Sequence, residues 1–386
     1  MDFTLTAAQQ RVRALARRVA EKVVAPAARR ADEERRFDRS VIDALGGAGI
    51  LGGPLPKEAG GGGWDDLSFA LCCEELGRVD ASVRGFVCVH VGLVARTILD
   101  HGNASQKRRW LPRLASGEWI GAYALTEEGA GSDAAAIATR ARKARDGWVL
   151  DGEKVWITSG GVADLVIVYA TVDPAARREG ITAFVLEGKP EGLERRRMPG
   201  VELGHRGSDH ARLVMKGVRV PKGNVLGPVG GGFKVAMGAL EHGRLGVAAG
   251  AVGLHAACLD LVVDFARKRR QFGKRIGDFQ MVQERIADMH ADLEASRLLV
   301  YRAAWARGRG ERGAAAVAAA KLFATEAAQR AASEAVLLLG SRGYSNESPV
   351  ERHYRDAQGL RIYEGTSLVQ RIILARALLG KDGGAG

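Results

Sequence analysis

The sequence predicts an α+β protein in three parts: a helical segment, a β domain and a second helical segment. Three observations carry this. At 386 residues the chain is too long for one ordinary core. Apolar residues recur at three- and four-residue steps up to about residue 120 and again after residue 230. Between these regions the pattern changes to short runs rich in Val, Ile and aromatic residues, separated by Asp-Gly and Gly-rich turns. The boundaries are set at 1–120, 121–228 and 229–386.

In chain order, Thr4 to about Arg36 reads as helix, with Thr4 as cap and Leu5, Val12, Leu15, Val19 and Val23 as an apolar stripe. Pro26 is expected to end or bend it. A short helix, Ser40–Ala48, stops at Gly49, and Leu51–Trp64, with several Gly and Pro, is loop. Asp66–Leu76, Ala81–His101 and Ser105–Ala115 are further helices. Strands are expected at Trp148–Leu150, Lys154–Ile157, Leu165–Tyr169, Thr182–Leu186 and Arg212–Met215. Helix resumes with a lead-in from Gly232 to Arg244, then Leu245–Arg269, Asp278–Gly308, Ala314–Leu339 and Leu368–Leu379, spaced as in a bundle.

An apolar share of 46% and a charged share of 26% suit a soluble globular protein. The net charge of +12 suits an anionic cofactor or a phosphorylated substrate. Nucleic acid is set aside, because no dense Lys/Arg block is interleaved with aromatics. Cys72, Cys73, Cys88 and Cys258 lack metal-ligand spacing and sit in apolar helical patterns, as buried thiols do. Met1-Asp2-Phe3-Thr4-Leu5 lacks a positive head and an apolar run, and no uncharged apolar run reaches about 18 residues. A reducing, cytoplasmic location away from membranes is expected.

Glu364 lies between Tyr363 and Gly365 in a basic and apolar neighbourhood. Ile362 and Tyr363 offer apolar walls that raise a carboxylate pKa, and Gly365 clears space, so Glu364 is a candidate general base. The competing reading is a surface turn before a helix capped by Thr366 or Ser367. Arg84 enters an apolar helix after Asp80-Ala81-Ser82. It either snorkels or pairs, with Asp80 four residues earlier, or offers a fork of donors to a substrate carboxylate. Gly129 and Gly131 favour a tight turn whose amides could face an anion, with Thr126 and Ser132 adding hydroxyls. Trp156 could wall a flat ring with Thr158 at its polar edge, or be a core tryptophan. Arg267–Arg270 reads as a solvated helix end.

These stretches resemble the acyl-CoA dehydrogenase family over nearly the whole chain. Tyr123–Asp133 is similar to its first signature and Trp156–Gly160 to its second flavin-facing segment. Arg269–Gly273 is similar to a helix end that reaches a neighbouring subunit's cofactor, and Arg352–Ser367 to the C-terminal signature. The resemblance implies an acyl-CoA dehydrogenase-like fold: helical N-terminal domain, central antiparallel β domain, C-terminal four-helix bundle. It implies FAD, met by Tyr123, Leu125, Thr126, Trp156, Thr158, Arg269, Phe272, Gly340 and Thr366. It implies a substrate site of Ser132, Arg244, Tyr363 and Arg84. Glu364 then takes the proton α to an acyl thioester while flavin N5 accepts the β hydride. Gly243 stands where a few relatives carry the catalytic glutamate, which leaves Glu364 as the base. Electron-transferring flavoprotein as acceptor and a homotetramer of FAD-sharing dimers are implied as well.

The chain departs from the family pattern at Glu128 (usually proline), Leu337 (usually glutamine) and Ser341 (usually glycine). Leu337 has no side-chain hydrogen bond to offer, so weaker or altered adenine contacts are expected. Arg355 and Asp356 match an Arg-Asp-Ala element and read as a structural pair. The substrate expected is a short acyl-CoA. Asp80–Arg84 also resembles, in part, the glutaryl-CoA branch, from which Gly77 and Cys88 depart. Ala239–Arg244 resembles relatives that oxidise hydroxymalonyl units on an acyl carrier protein. A catalytically idle flavin-binding scaffold is the reading of another class, and Glu364, Thr126 and Trp156 speak against it.

Overall fold

The computed structural model describes residues 4–311 and 313–380. Its first helix, α1 (Ala7–Val19), starts at a reciprocal cap: the Gln9 amide donates to Thr6 Oγ1 and the Thr6 amide to Gln9 Oε1. The expected cap, Thr4, lies two residues too early. Pro26 does not end the helical run. A π-helical turn, Ala20–Val24, precedes it, and α2 (Ala25–Glu34) takes Pro26 into its first turn, where an N–H is not required. Helices α3 (Arg39–Gly47), α4 (Asp66–Gly77), α5 (Ala81–Val87), a π-helical stretch Cys88–Ala95, α6 (Arg96–His101) and α7 (Ala104–Ser116) complete this part.

The sheet opens with a strand absent from the sequence reading, β1 (Gly121–Ala124), whose four residues are all buried and so show no alternation. It is followed by β2 (Arg140–Ala144), β3 (Gly147–Thr158), β4 (Leu165–Thr171), β5 (Ile181–Glu187), β6 (Leu193–Arg197), β7 (His210–Pro221) and β8 (Val225–Leu226). The order is β6-β7-β3-β2-β4-β5-β8 with β1 beside β4, antiparallel except where β1 and β2 meet β4. β3 is one strand through both expected segments, Trp148–Leu150 and Lys154–Ile157. Its register against β7 slips twice, and the slip between Lys154 and Ile157 leaves Trp156 at φ +58°.

The third part is built on α8 (Gly232–Lys268), one continuous helix where a lead-in and a separate helix were expected. Glycine disfavours helix interiors, and packing explains the glycines of α8. A Cβ at Gly250 would lie 2.5 Å from Arg84 Nε, and one at Gly253 would lie 1.9 Å from the Glu74 carbonyl oxygen. Arg269 caps α8, and β9 (Arg270–Gln271) and β10 (Lys274–Arg275) form a ribbon turned by Phe272 (φ +50°) and Gly273 (φ +80°). Helices α9 (Gln280–Gly308), α10 (Ala314–Leu339), α11 (Val350–Leu360) and α12 (Ser367–Leu378) complete the bundle.

Two helical stretches, Ala81–His101 and Gly232–Lys268, are long and apolar enough to cross a membrane. Their most apolar windows are 72% and 83% buried inside the fold. All four cysteines are buried and free. The expected Arg355–Asp356 pair is not formed: Arg355 pairs with Asp32 and Glu351, while Asp356 accepts from the His205 amide.

Candidate active site

Glu364 lies on the turn between α11 and α12, and Thr366 starts α12 by accepting from the Val369 amide. Glu364 is left-handed (φ +55°) and Gly365 follows at +89°. That conformation costs a non-glycine residue about 1–2 kcal/mol, so the surroundings must hold it. Lys321 of α10 donates to the Tyr363 carbonyl (3.1 Å) and the Gly365 carbonyl (2.7 Å). Arg244 of α8 donates to the Glu364 carbonyl (3.0 Å), and Gln370 donates to that of Gly365 (2.9 Å).

The Glu364 side chain is directed at α8. A Cβ on Gly243 would lie 2.0 Å from Glu364 Oε2 and 2.7 Å from Leu93, so glycine alone leaves the carboxylate its room. Oε2 is enclosed and has no hydrogen-bond partner among the described residues. Burial raises this carboxyl to about 8 and the Cys88 thiol adds to the rise, while Arg84, Lys321 and Arg244 oppose it. An unpartnered carboxyl titrating near neutrality suits proton abstraction.

Arg84 is 1% exposed. Asp80 is not its partner: Asp80 caps α5 by accepting from the Val83 amide at 2.7 Å. Arg84 instead donates to Tyr363 Oη (2.5 Å) and Cys88 Sγ (3.8 Å), its Nε meets no acceptor, and no carboxylate forms a salt bridge with it among the described residues. A buried guanidinium is costly without an anionic partner, and the charge that faces it across the site is Glu364.

A second strip lies along the sheet. The Val155 amide donates to the Thr126 carbonyl (3.0 Å), which lays the loop after β1 against β3 beside the Trp156 bulge. Buried Lys154 fastens this loop by donating to the Leu125 carbonyl (2.9 Å) and to Glu127 (2.7 Å). The Trp156 ring is left 53% exposed, with Thr126 and Thr158 half-buried. An uncovered indole flanked by hydroxyls fits one face and the polar edge of a flavin ring. The side chains of Tyr123 and Leu125 are buried, and Tyr123 donates to the Ala236 carbonyl at 3.2 Å. Ser132 is exposed on the bend that follows, and Glu128 is exposed and pairs with Arg212.

Within one chain Glu364, Tyr363, Arg84, Arg244 and Thr366 come together. Arg269, Phe272 and Gly340 do not join them. Phe272 is 92% exposed on its ribbon, and Arg269, Gly340 and Leu337 are also exposed. Gly340 lies roughly 28 Å beyond Lys321 along α10, at ~1.5 Å per residue. The sequence reading missed Lys321, Gln370 and Lys154. Lys321 carried a signal, as a single charge inside the Ala-rich run Ala314–Ala324; Lys154, in a strand with charged neighbours, carried none.

Family profiles match in order along the chain: "Acyl-CoA dehydrogenase, N-terminal domain" over residues 6–118, "middle domain" over 122–218 and "C-terminal domain" over 230–379. Human short-chain specific acyl-CoA dehydrogenase is 41% identical over 93% of this chain and 87% of its own length. Glutaryl-CoA dehydrogenase of Desulfococcus multivorans is 39% identical over 98% of each. The structure of butyryl-CoA dehydrogenase from Megasphaera elsdenii superposes with a TM-score of 0.96 at 41% identity, over 98% of this chain and 100% of that one. The expectation of a cytoplasmic location is corrected here, because the human, mouse, rat, bovine and porcine relatives are all named as mitochondrial proteins. With all three domains matched in order and the strip beside Trp156 suited to a flavin, the chain belongs to the acyl-CoA dehydrogenase family of FAD-dependent enzymes.

Proposed function

We propose that the enzyme dehydrogenates a short acyl-CoA thioester between its α and β carbons, with Glu364 as the base. The enclosed carboxyl of Glu364, unpartnered at Oε2 and fitted against Gly243, carries this reading. Glu364 takes the α proton, and its backbone amide polarises the thioester carbonyl against the developing enolate charge. Thr126, Trp156 and Thr158 hold the ring of the cofactor, and FAD when bound supplies a two-electron acceptor for the hydrogen leaving the β carbon. Arg244 keeps the turn of Glu364 in place, and Ser132, exposed on the bend after the Thr126 loop, would meet the arm that carries the thioester. The electrons then pass to an electron-transferring flavoprotein. Anaerobic mixing with butyryl-CoA tests this: wild type should lose its oxidised flavin absorbance. Retention of that absorbance across short thioesters would refute the reading.

A second reading has its own observation. Arg84 is buried with no carboxylate partner among the described residues, and its Tyr363 partner adjoins the base. A short acyl arm ending in a second carboxylate, as in glutaryl-CoA, would supply the missing anion. Comparing glutaryl-CoA with butyryl-CoA decides between the two readings.

A further inference from the structure

Lys321 is wholly buried on α10 beside Ala318, Ala320 and Ala324. Its hydrogen bonds go to the carbonyls of Tyr363 and Gly365, and no carboxylate forms a salt bridge with it among the described residues. A buried ammonium so placed is unfavourable unless its acceptors need it. These acceptors do, because the left-handed Glu364 interrupts helical hydrogen bonding between α11 and α12. The carbonyl between them is taken by Arg244 and, at 3.4 Å, by Gln370, so three successive carbonyls are held from two helices of the bundle and from α12.

We propose that Lys321 is a positioning residue for the base: its ammonium bridges the carbonyls on either side of Glu364, aims the carboxylate and favours its ionised form. The inference rests on Glu364 acting as the base. The charged and titratable groups facing Glu364 are Arg84 of α5, Cys88 of the π-helical stretch, Lys321 of α10, Arg244 of α8, and Tyr123 and Tyr363 on either side. Those facing Lys321 are Glu364, Arg244, Glu326 of its own helix, and Arg84. Burial, opposed by the Glu364 carboxylate, brings Lys321 down to about 7.

Replacing Lys321 by Met keeps the stem and removes both donors and charge. Without that cation Glu364 ionises at higher pH, and without the donors its turn loosens. The test is the pH profile of kcat/KM for butyryl-CoA in flavin-loaded wild type, K321M, K321Q and K321R. The acid limb should move up by roughly half a pH unit or more in K321M and K321Q and stay in place in K321R. In K321M kcat should fall about 10- to 100-fold while KM changes less than ~3-fold. K321Q reads the same limb if K321M does not fold. An acid limb at its wild-type position in the charge-free variant overturns the proposal. E364Q separates the two claims: turnover surviving in E364Q defeats the base itself, whereas an inactive E364Q beside an unshifted K321M defeats only the role of Lys321.

Discussion

Replacing Arg84 by Met should separate substrate recognition from the chemistry. The stem of Arg84 passes so close to Gly250 that a Cβ there would fall 2.6 Å from Arg84 Cδ. Met retains most of that stem, so the packing loss is small, while the donors to Tyr363 Oη and to any substrate anion disappear. Loss of a buried hydrogen-bonded charge partner costs about 2–5 kcal/mol, which corresponds to roughly 30- to 4,000-fold. That loss should fall on kcat/KM for glutaryl-CoA, with butyryl-CoA changing less than ~5-fold. Arg84 also favours the ionised form of Glu364, so R84M moves the acid limb upward for both substrates. The comparison therefore belongs on the alkaline plateau, with flavin reduction followed anaerobically. Equal losses on the two substrates, or no loss on glutaryl-CoA, would refute the assignment of Arg84 to a distal carboxylate.

Other outcomes follow from the same geometry. G243A places a methyl carbon 2.0 Å from Glu364 Oε2 and 2.7 Å from Leu93; kcat should fall about 100-fold, and wild-type turnover in G243A would contradict the placement of the base. Glu364 ionises near 4.5 in an unfolded chain but near 8 here, so its contribution turns unfavourable to folding as pH rises through that window, by up to roughly 5 kcal/mol. E364Q should therefore melt higher than wild type at pH 8.5 and little differently at pH 4.5, and a Tm difference independent of pH would contradict the burial argument. Phe272, Leu337, Tyr344, Leu368 and Leu378 are exposed on one chain, which fits contact with further copies; light scattering should give a homotetramer, R269A/F272A should lower flavin content, and a monomeric flavin-replete protein would contradict both.

The features legible in the sequence were those set by local chemistry. Short apolar runs and turn residues located β3, β4, β5 and β7 but not β1, β2, β6 or β8, and helical spacing located the bundle. The Thr6–Gln9 cap was also legible as Thr-x-x-Gln, but taking Leu5 into the stripe moved the start to Thr4. Features that depend on partners far along the chain were hidden. Pro26 looked like a terminator because nothing in its neighbours announces the π-helical turn that precedes it. The reasons for Gly243 and Gly250, the Glu364 carboxylate and the Arg84 stem, arrive from elsewhere in the chain. Asp80, four residues before Arg84, read as its candidate partner, and only the geometry of the Val83 amide makes it a cap. Glu364 could be named from its resemblance to a family pattern, whereas its elevated pKa depends on walls that α8, α10 and the Cys88 stretch bring together.

The most direct test of the central claim is single-turnover flavin reduction in E364Q. Glutamine keeps the shape of the side chain and lacks usable basicity. Flavin-loaded E364Q, mixed anaerobically with butyryl-CoA and with glutaryl-CoA, should bind both thioesters and reduce its flavin at least ~100-fold more slowly than wild type. Reduction at a rate near that of wild type, with either thioester, would contradict Glu364 as the base.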